Sequence, residues 1–203
     1  MKIPFMGNEL LRGSLVYLTR PNEDDIKTIA EWSTDLMYQR LLRRGMVYPG
    51  SIEEHQGWFA DMLKGEEMIP FSARRIEDDR LVGMLVIKDI FWQARHCSFF
   101  IGIGDPEARG RGYGPDAVRV LLKYAFLEMN LNRVGLEVLN YNEQAIRAYK
   151  KVGFRHEGIL RAYAFRDGVY YDMHIMGILR GEWEQLYDQP SITYPPPTTS
   201  GEG

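Results

Sequence analysis

At 203 residues, with 45% hydrophobic and 26% charged side chains, the chain has an ordinary globular composition and enough length to bury a core without staples. A formal net charge of −3 argues against broad binding to nucleic acid or to an anionic membrane. Cys97 is the one cysteine, which excludes an internal disulfide, and four scattered histidines without cysteine pairs speak against a metal site.

No apolar run approaches the length that spans a bilayer, and residues 1–7 lack a signal-peptide core. With a lone thiol suited to a reducing compartment, a soluble cytoplasmic protein is expected. Residues 14–19 predict a first strand, closed by Arg20-Pro21. Asn22 is a helix N-cap, and Ile26, Ile29, Ala30, Ser33, Leu36 and Met37 share one face of the helix behind it. A connector runs through Arg40, Arg43, Arg44 and Gly45 to Pro49-Gly50. Ser51 and Glu54 form a capping box that opens a second helix through Trp58, Phe59, Met62 and Leu63. Phe71 to Ile76 and Arg80 to Phe91 read as a hairpin turning at Glu77-Asp78-Asp79.

The most informative stretch comes next. Cys97 to Ile103 is an apolar strand, in which Cys97 is a packing residue and no nucleophile. It runs into a loop dense in glycine and arginine, Asp105 to Gly114, and then into an amphipathic helix over 115–129. Pro115 suits the first helical position, and Ala117, Val118, Leu121, Leu122, Ala125, Phe126 and Met129 repeat on one apolar face. Such a loop leaves main-chain N–H groups unpaired at the positive end of a helix, a natural anion site. Gly110, Gly112 and Gly114 let the main chain approach a ligand, and Arg109 and Arg111 add charge that forks onto phosphate oxygens. No Gly-Lys-Ser/Thr follows, so this is not a Walker loop, and the glycine spacing misses the dinucleotide fingerprint.

Arg133 to Leu139 is another strand. Asn142 caps a short helix that ends at Gly153, with Phe154 beyond it. Gly158 to Arg166 and Val169 to Leu179 are the last strands, joined by the hairpin signal Asp167-Gly168. From residue 188 the chain is polar and proline-rich, and is expected to be a flexible tail behind a single domain over 1–187. The element order β-α-α-β-β-β-α-β-α-β-β predicts an α/β architecture, a mixed sheet with helices on both faces.

Arg109-x-x-Gly112-x-Gly114 resembles the pyrophosphate loop of the Gcn5-related N-acetyltransferase (GNAT) family. Asn142-x-x-Ala145-Ile-x-x-Tyr149-x-x-x-Gly153-Phe154 is similar to that family's second signature. The likeness runs from about Leu10 to Trp183, and its ends resemble the ribosomal-protein N-terminal and spermidine N-acetyltransferase branch. It implies the GNAT fold and transfer of acetyl from acetyl-CoA to a primary amine, a protein N-terminus or a small amine, by direct attack through a tetrahedral intermediate. It further implies that strand 97–103 splays from strand 133–139, so that pantetheine pairs with Ile101 and Ile103 as a pseudo-strand. The main chain of Gly110, Arg111, Gly112, Tyr113 and Gly114 would hold the pyrophosphate, with Arg109 bracing the loop or touching the ligand. Asn142 either meets CoA or merely caps its helix. Tyr149, near the sulfur, would protonate the departing thiolate; a phenol with pKa about 10 is acid enough.

The sequence departs from the family at the base. Where many members carry a strand glutamate, this chain has Ser98, Phe99 and Phe100. His174, able to titrate near neutrality, or Asp172 or a water chain would have to serve. Arg40, Arg43 and Arg44, if they line the groove, would disfavour a polycation and suit an acceptor with negative charge nearby. The missing glutamate also keeps open a non-catalytic CoA-binding module of the same fold, acting as a sensor or assembly partner. Aromatic strands at the C-terminal side, with Tyr163, Phe165, Tyr170 and Tyr171, suggest a homodimer.

Overall fold

The computed structural model describes residues 9–64 and 68–187. The expected tail at 188–203 lies outside the described residues. In chain order the elements are β1 (Val16–Thr19), α1 (Glu23–Trp32), α2 (Leu36–Leu42), α3 (Ile52–Lys64), β2 (Ile69–Arg75), β3 (Leu81–Phe91) and β4 (His96–Ile103). There follow α4 (Tyr113–Leu127), β5 (Arg133–Leu139), α5 (Glu143–Val152), β6 (Arg155–Arg166), β7 (Val169–Leu179) and α6 (Arg180–Tyr187).

Seven strands form one sheet in the order β1-β2-β3-β4-β5-β7-β6. Every neighbouring pair is antiparallel except β4 and β5, which run parallel. The two faces of β4 follow the period of two. Cys97 and Phe99 pack into the main core with Val118, Leu121, Leu122 and Phe126 of α4 and with Val134, Leu136 and Val138 of β5. Each such buried apolar side chain contributes about 1.5–3 kcal/mol relative to exposure. On the opposite face Phe100 meets a second core built on Ile29, Phe59, Met84 and Val86, beneath α1 and α3.

Close packing on that second face depends on two missing side chains. A Cβ on Gly104 would lie 1.9 Å from the Trp32 ring, and one on Gly102 would lie 2.4 Å from the Tyr38 hydroxyl. Glycine here lets the α1–α2 corner press directly on β4.

The expected caps are present. Asn22 and Asp25 exchange side-chain and backbone hydrogen bonds at the start of α1, and Ser51 and Glu54 do so ahead of α3. The first helix differs from its reading as one piece through Met37. It stops at Trp32, and Asp35 starts α2 by accepting the Met37 amide at 2.8 Å. The apolar spacing continues across the break, so periodicity cannot see it. α4 begins two residues earlier than expected, at Tyr113, and ends before Met129. Pro115 still sits in the first turn, where its missing N–H has no intrahelical partner to lose. At the hairpin, Asp167 (φ 54°) and Gly168 (φ 79°) both adopt the left-handed conformation that a tight primed turn requires.

Candidate active site

β4 and β5 pair over three residues only: His96 with Arg133, Cys97 with Val134 and Ser98 with Gly135. Beyond Ser98 the partners are lost. Phe99–Ile103 stays zipped to β3, and Leu136–Leu139 stays zipped to β7. Two strands thus diverge and turn main-chain donors and acceptors into the wedge between them. An extended chain carrying amides of its own can satisfy both edges.

The loop at the end of β4 is held from three sides. Asp105, 4% exposed, accepts the Glu107 amide at 3.0 Å and pairs with Arg80 at 2.9 Å. Arg109 donates from Nε to the Ile103 carbonyl and from Nη2 to the Gly104 carbonyl, each at 3.1 Å, and lies over the Tyr38 ring. Its guanidinium is therefore a brace on the loop. Arg111 stands exposed beside it.

Gly110 (φ 76°) and Gly112 (φ 88°) then turn the chain through left-handed conformations, and Gly112 caps α4 without any side-chain acceptor. The first amides of a fifteen-residue helix are left facing outward at its positive end. The nearby carboxylate is directed elsewhere. Asp116, 5% exposed, accepts the amides of Leu15 at 2.7 Å and Val16 at 3.0 Å, and Ser14 at 3.3 Å, tying α4 to β1. A wedge of unpaired strand edge leading to an uncapped helix start fits a ligand with an amide chain and a diphosphate.

On the α4–α5 face of the wedge, Tyr149 is half-buried, with its ring edge-on to Phe99 (6.0 Å) and Phe154 (5.9 Å). Burial pushes its phenol pKa up, so the hydroxyl keeps its proton at neutral pH. Asn142 caps α5 by accepting the Ala145 amide at 3.2 Å.

The opposite face holds a group that sequence reasoning passed over. Glu137, on β5 two residues past the last β4 pair, faces α2 and pairs with Arg44. Ser98, at the point of divergence, donates to Asp89 on β3, which Lys88 also contacts. Burial raises the Asp89 carboxyl, but the hydrogen bonds from Lys88 and Ser98 and the charges of Lys88 and Arg44 outweigh it, so it titrates below the usual range. In the sequence Glu137 looks like the polar alternate of a half-buried strand; only the broken register gives it significance.

His174 lies elsewhere. It is opposite Val138 on β7, one strand further from the wedge, with its ring against His156 at 4.9 Å. Burial and the neighbouring charges of His156 and Lys150 lower its pKa. The structure does not bring it to the face that Glu137 occupies. Asp172 latches a bulge by accepting the amide of Ala162 (φ 50°) at 2.8 Å. Burial pushes the Cys97 thiol up to about 12, as a packing residue requires. Among the described residues no group of three His, Cys, Asp or Glu side chains is placed to hold a metal ion, and no helix is long and apolar enough to cross a membrane.

A splayed parallel pair ending in a glycine-rich helix cap, with a phenol at its side, is the arrangement that the likeness to the GNAT acyltransferases implies. The sequence profile of the acetyltransferase (GNAT) domain matches residues 16–155. The SPbeta prophage-derived uncharacterized N-acetyltransferase YokL of Bacillus subtilis is 30% identical over 153 residues, 74% of this chain and 84% of that protein. The spermidine N(1)-acetyltransferase of Vibrio cholerae is 32% identical over 103 residues, 51% of this chain and 59% of that one. The crystal structure of the V. cholerae spermidine N-acetyltransferase in complex with CoA and spermine superposes with a TM-score of 0.75 at 24% identity, covering 83% of this chain and 98% of that one. The chain belongs to the GNAT family: it is an acetyl-CoA-dependent N-acetyltransferase acting on an amine.

Proposed function

We propose that the amine enters on the α2 face of the wedge, that Glu137 takes its proton, and that Tyr149, on the opposite face, gives one to the departing sulfur. The observation that carries this is the end of β4–β5 pairing at Ser98–Gly135, with Glu137 just beyond it on the open side. An ammonium with pKa near 10 must lose a proton before its nitrogen is nucleophilic, and a carboxylate bordering the wedge is placed to receive it. The amine attacks the thioester carbonyl to give a tetrahedral intermediate. As this collapses the C–S bond breaks, Tyr149 protonates the sulfur, and the nitrogen's second proton returns to the Tyr149 oxygen. The first leaves Glu137 for solvent, so that one proton is released per turnover. The role read for His174 passes to Glu137.

Acetyl-CoA supplies the activated acyl group. The amides of Gly110, Arg111, Gly112, Tyr113 and Gly114 hold its diphosphate and the edge at Ile101 and Ile103 its amide arm. Arg109 shapes that cradle from behind, and Asn142 serves chiefly as a cap.

The arginines that weighed against a polycation are largely neutralised in the fold. Arg40 pairs with Asp167, Arg44 with Glu137, and Arg43 stacks on Tyr48 and Trp58. Charge alone therefore does not set a polyamine apart from a peptide N-terminus. The exposed Met46 and Tyr48 on the connector favour an acceptor with an apolar flank, a peptide N-terminus or a small amine. A single domain over 1–187, a cytoplasmic setting and a homodimer through the β6–β7 face belong to the same reading. Buried Cys97 supports the second, and exposed Tyr163, Phe165 and Tyr170 support the third.

Thiol release from acetyl-CoA, followed with an alanine-initiated peptide, a short alkylamine and spermidine, tests the reading. Glu137→Gln and Tyr149→Phe should each lower kcat by about 10²-fold or more. Full turnover by Glu137→Gln would overturn the assignment of the proton acceptor.

A further inference from the structure

The carboxylate assigned to the acceptor's proton already holds a cation. Arg44, on the connector just past α2, sets Nη1 against Glu137. Its charge also reaches Asp89, two strands away across β4. The guanidinium thus pairs with the carboxylate two residues past the last β4–β5 pair, near enough to Asp89 for its charge to help lower that carboxyl, which Ser98 also contacts.

As a fastener this pair is poor. The Arg44 and Glu137 side chains remain 39% and 30% exposed, a setting in which an ion pair adds little to stability. The fastening of the α2 end is done elsewhere. Arg166 donates to the carbonyl oxygens of Arg40 at 2.7 Å, Arg43 at 2.6 Å and Gly45 at 3.0 Å. An exposed, redundant ion pair at the mouth of a site that binds a cation calls for a different account.

We propose that Arg44 is a specificity-determining residue that stands in for the acceptor's ammonium, neutralising Glu137 until a primary ammonium displaces it. The inference rests on the reading of Glu137 as the proton acceptor. Exchange of one cation for another leaves the charge around Glu137 and Asp89 unchanged, so neither carboxylate is desolvated without a partner. An alcohol or other neutral nucleophile brings no charge to trade and leaves Arg44 in place. The groove thereby selects amines over hydroxyls through a competition, and Arg44 sets the threshold.

The test is an NMR titration of the CoA-saturated full chain with n-butylamine, a bare primary ammonium on a short apolar tail. Wild type, Arg44→Gln, Glu137→Gln and the double variant are compared. Removing the competitor should tighten butylamine binding about two- to fivefold in Arg44→Gln, and Glu137→Gln should weaken it. In the double variant the Arg44 effect should vanish. Arg44→Lys, which keeps the cation, should bind as wild type does. Weaker or unchanged binding in Arg44→Gln, or no binding in any of the four proteins, would overturn the proposal. The underlying reading fails separately: full turnover by Glu137→Gln removes its role as base and leaves the binding cycle to be judged alone.

Discussion

Arg109 donates its Nε–H to the carbonyl oxygen of Ile103 at 3.1 Å, tying the glycine-rich loop to the last residue of the strand it leaves. A second bond to Gly104 and the Tyr38 ring beneath complete the brace. Charge-assisted bonds of this kind are worth about 1.5–3 kcal/mol each, less where water reaches them. Arg109→Gln should therefore raise the KM for acetyl-CoA about tenfold and change kcat little. Steady-state kinetics with acetyl-CoA varied decide it. A fall in kcat at constant KM would mean that the guanidinium acts at the thioester.

Tyr149 carries a pH prediction. Burial disfavours the phenolate, so the pKa in the folded protein lies above the free value of about 10. The donor form persists through alkaline pH, and kcat should show no decline from loss of this proton up to about pH 9.5. A basic limb near pH 8 that disappears in Tyr149→Phe would contradict the raised value.

These two residues mark what the sequence could and could not convey. Local signals translated well, since each is complete within a few residues: the Asn22 cap, Ser51 with Glu54, Asp167 with Gly168, and the bend at Gly110 and Gly112. Tyr149 was legible through its place in a signature. Glu137 was not. Its meaning comes from the loss of β4–β5 register and from Arg44, which is distant in the chain. The α1–α2 break escaped because Ser33, Leu36 and Met37 keep the helical spacing while Asp35 starts a new helix by capping. α6 escaped because its packing on the main core, with Trp183 2% exposed, is a tertiary fact.

Acid should weaken the fold through His55. It is 3% exposed, with Nε2 3.5 Å from the Gln39 amide nitrogen, and burial followed by the Arg43 charge holds its pKa below 6.5. The unfolded chain binds this proton at about pH 6.5 and the folded chain only at lower pH. Stability is thus intact above the unfolded value and falls as pH drops below it, levelling off once the folded value is passed. Melting temperatures between pH 7.5 and 5 should decline, and His55→Gln should flatten part of the slope. An unchanged slope would assign the acid sensitivity to other groups, His174 among them.

Asp116 predicts a large structural effect outside the chemistry. Its carboxylate is the acceptor for the amides of Ser14, Leu15 and Val16. Asp116→Ala leaves those donors unpaired, at a cost of about 3 kcal/mol in urea unfolding. Asp116→Asn, which keeps one acceptor oxygen, should cost about half as much. Equal losses would show that charge, and not the count of acceptors, holds β1 to α4.

Arg166 separates acceptor binding from CoA binding. Its guanidinium gathers the carbonyl oxygens of Arg40, Arg43 and Gly45 and also meets the Tyr141 hydroxyl, so the β6–β7 hairpin grips the C-terminal end of α2. The Arg40 carbonyl belongs to the last turn of α2, the negative end of a helix, where a cation is favoured, and those of Arg43 and Gly45 lie in the connector just beyond it. The same grip positions the connector that carries Arg44 to Glu137. Arg166→Gln keeps some donors but loses the planar fork and the charge. It should raise the KM for the best amine of the panel about tenfold, while the KM for acetyl-CoA, whose proposed cradle lies at the far end of β4, stays within about twofold. Parallel rises in both constants would mean that the hairpin supports the whole sheet, and that α2 does not form a separate acceptor wall.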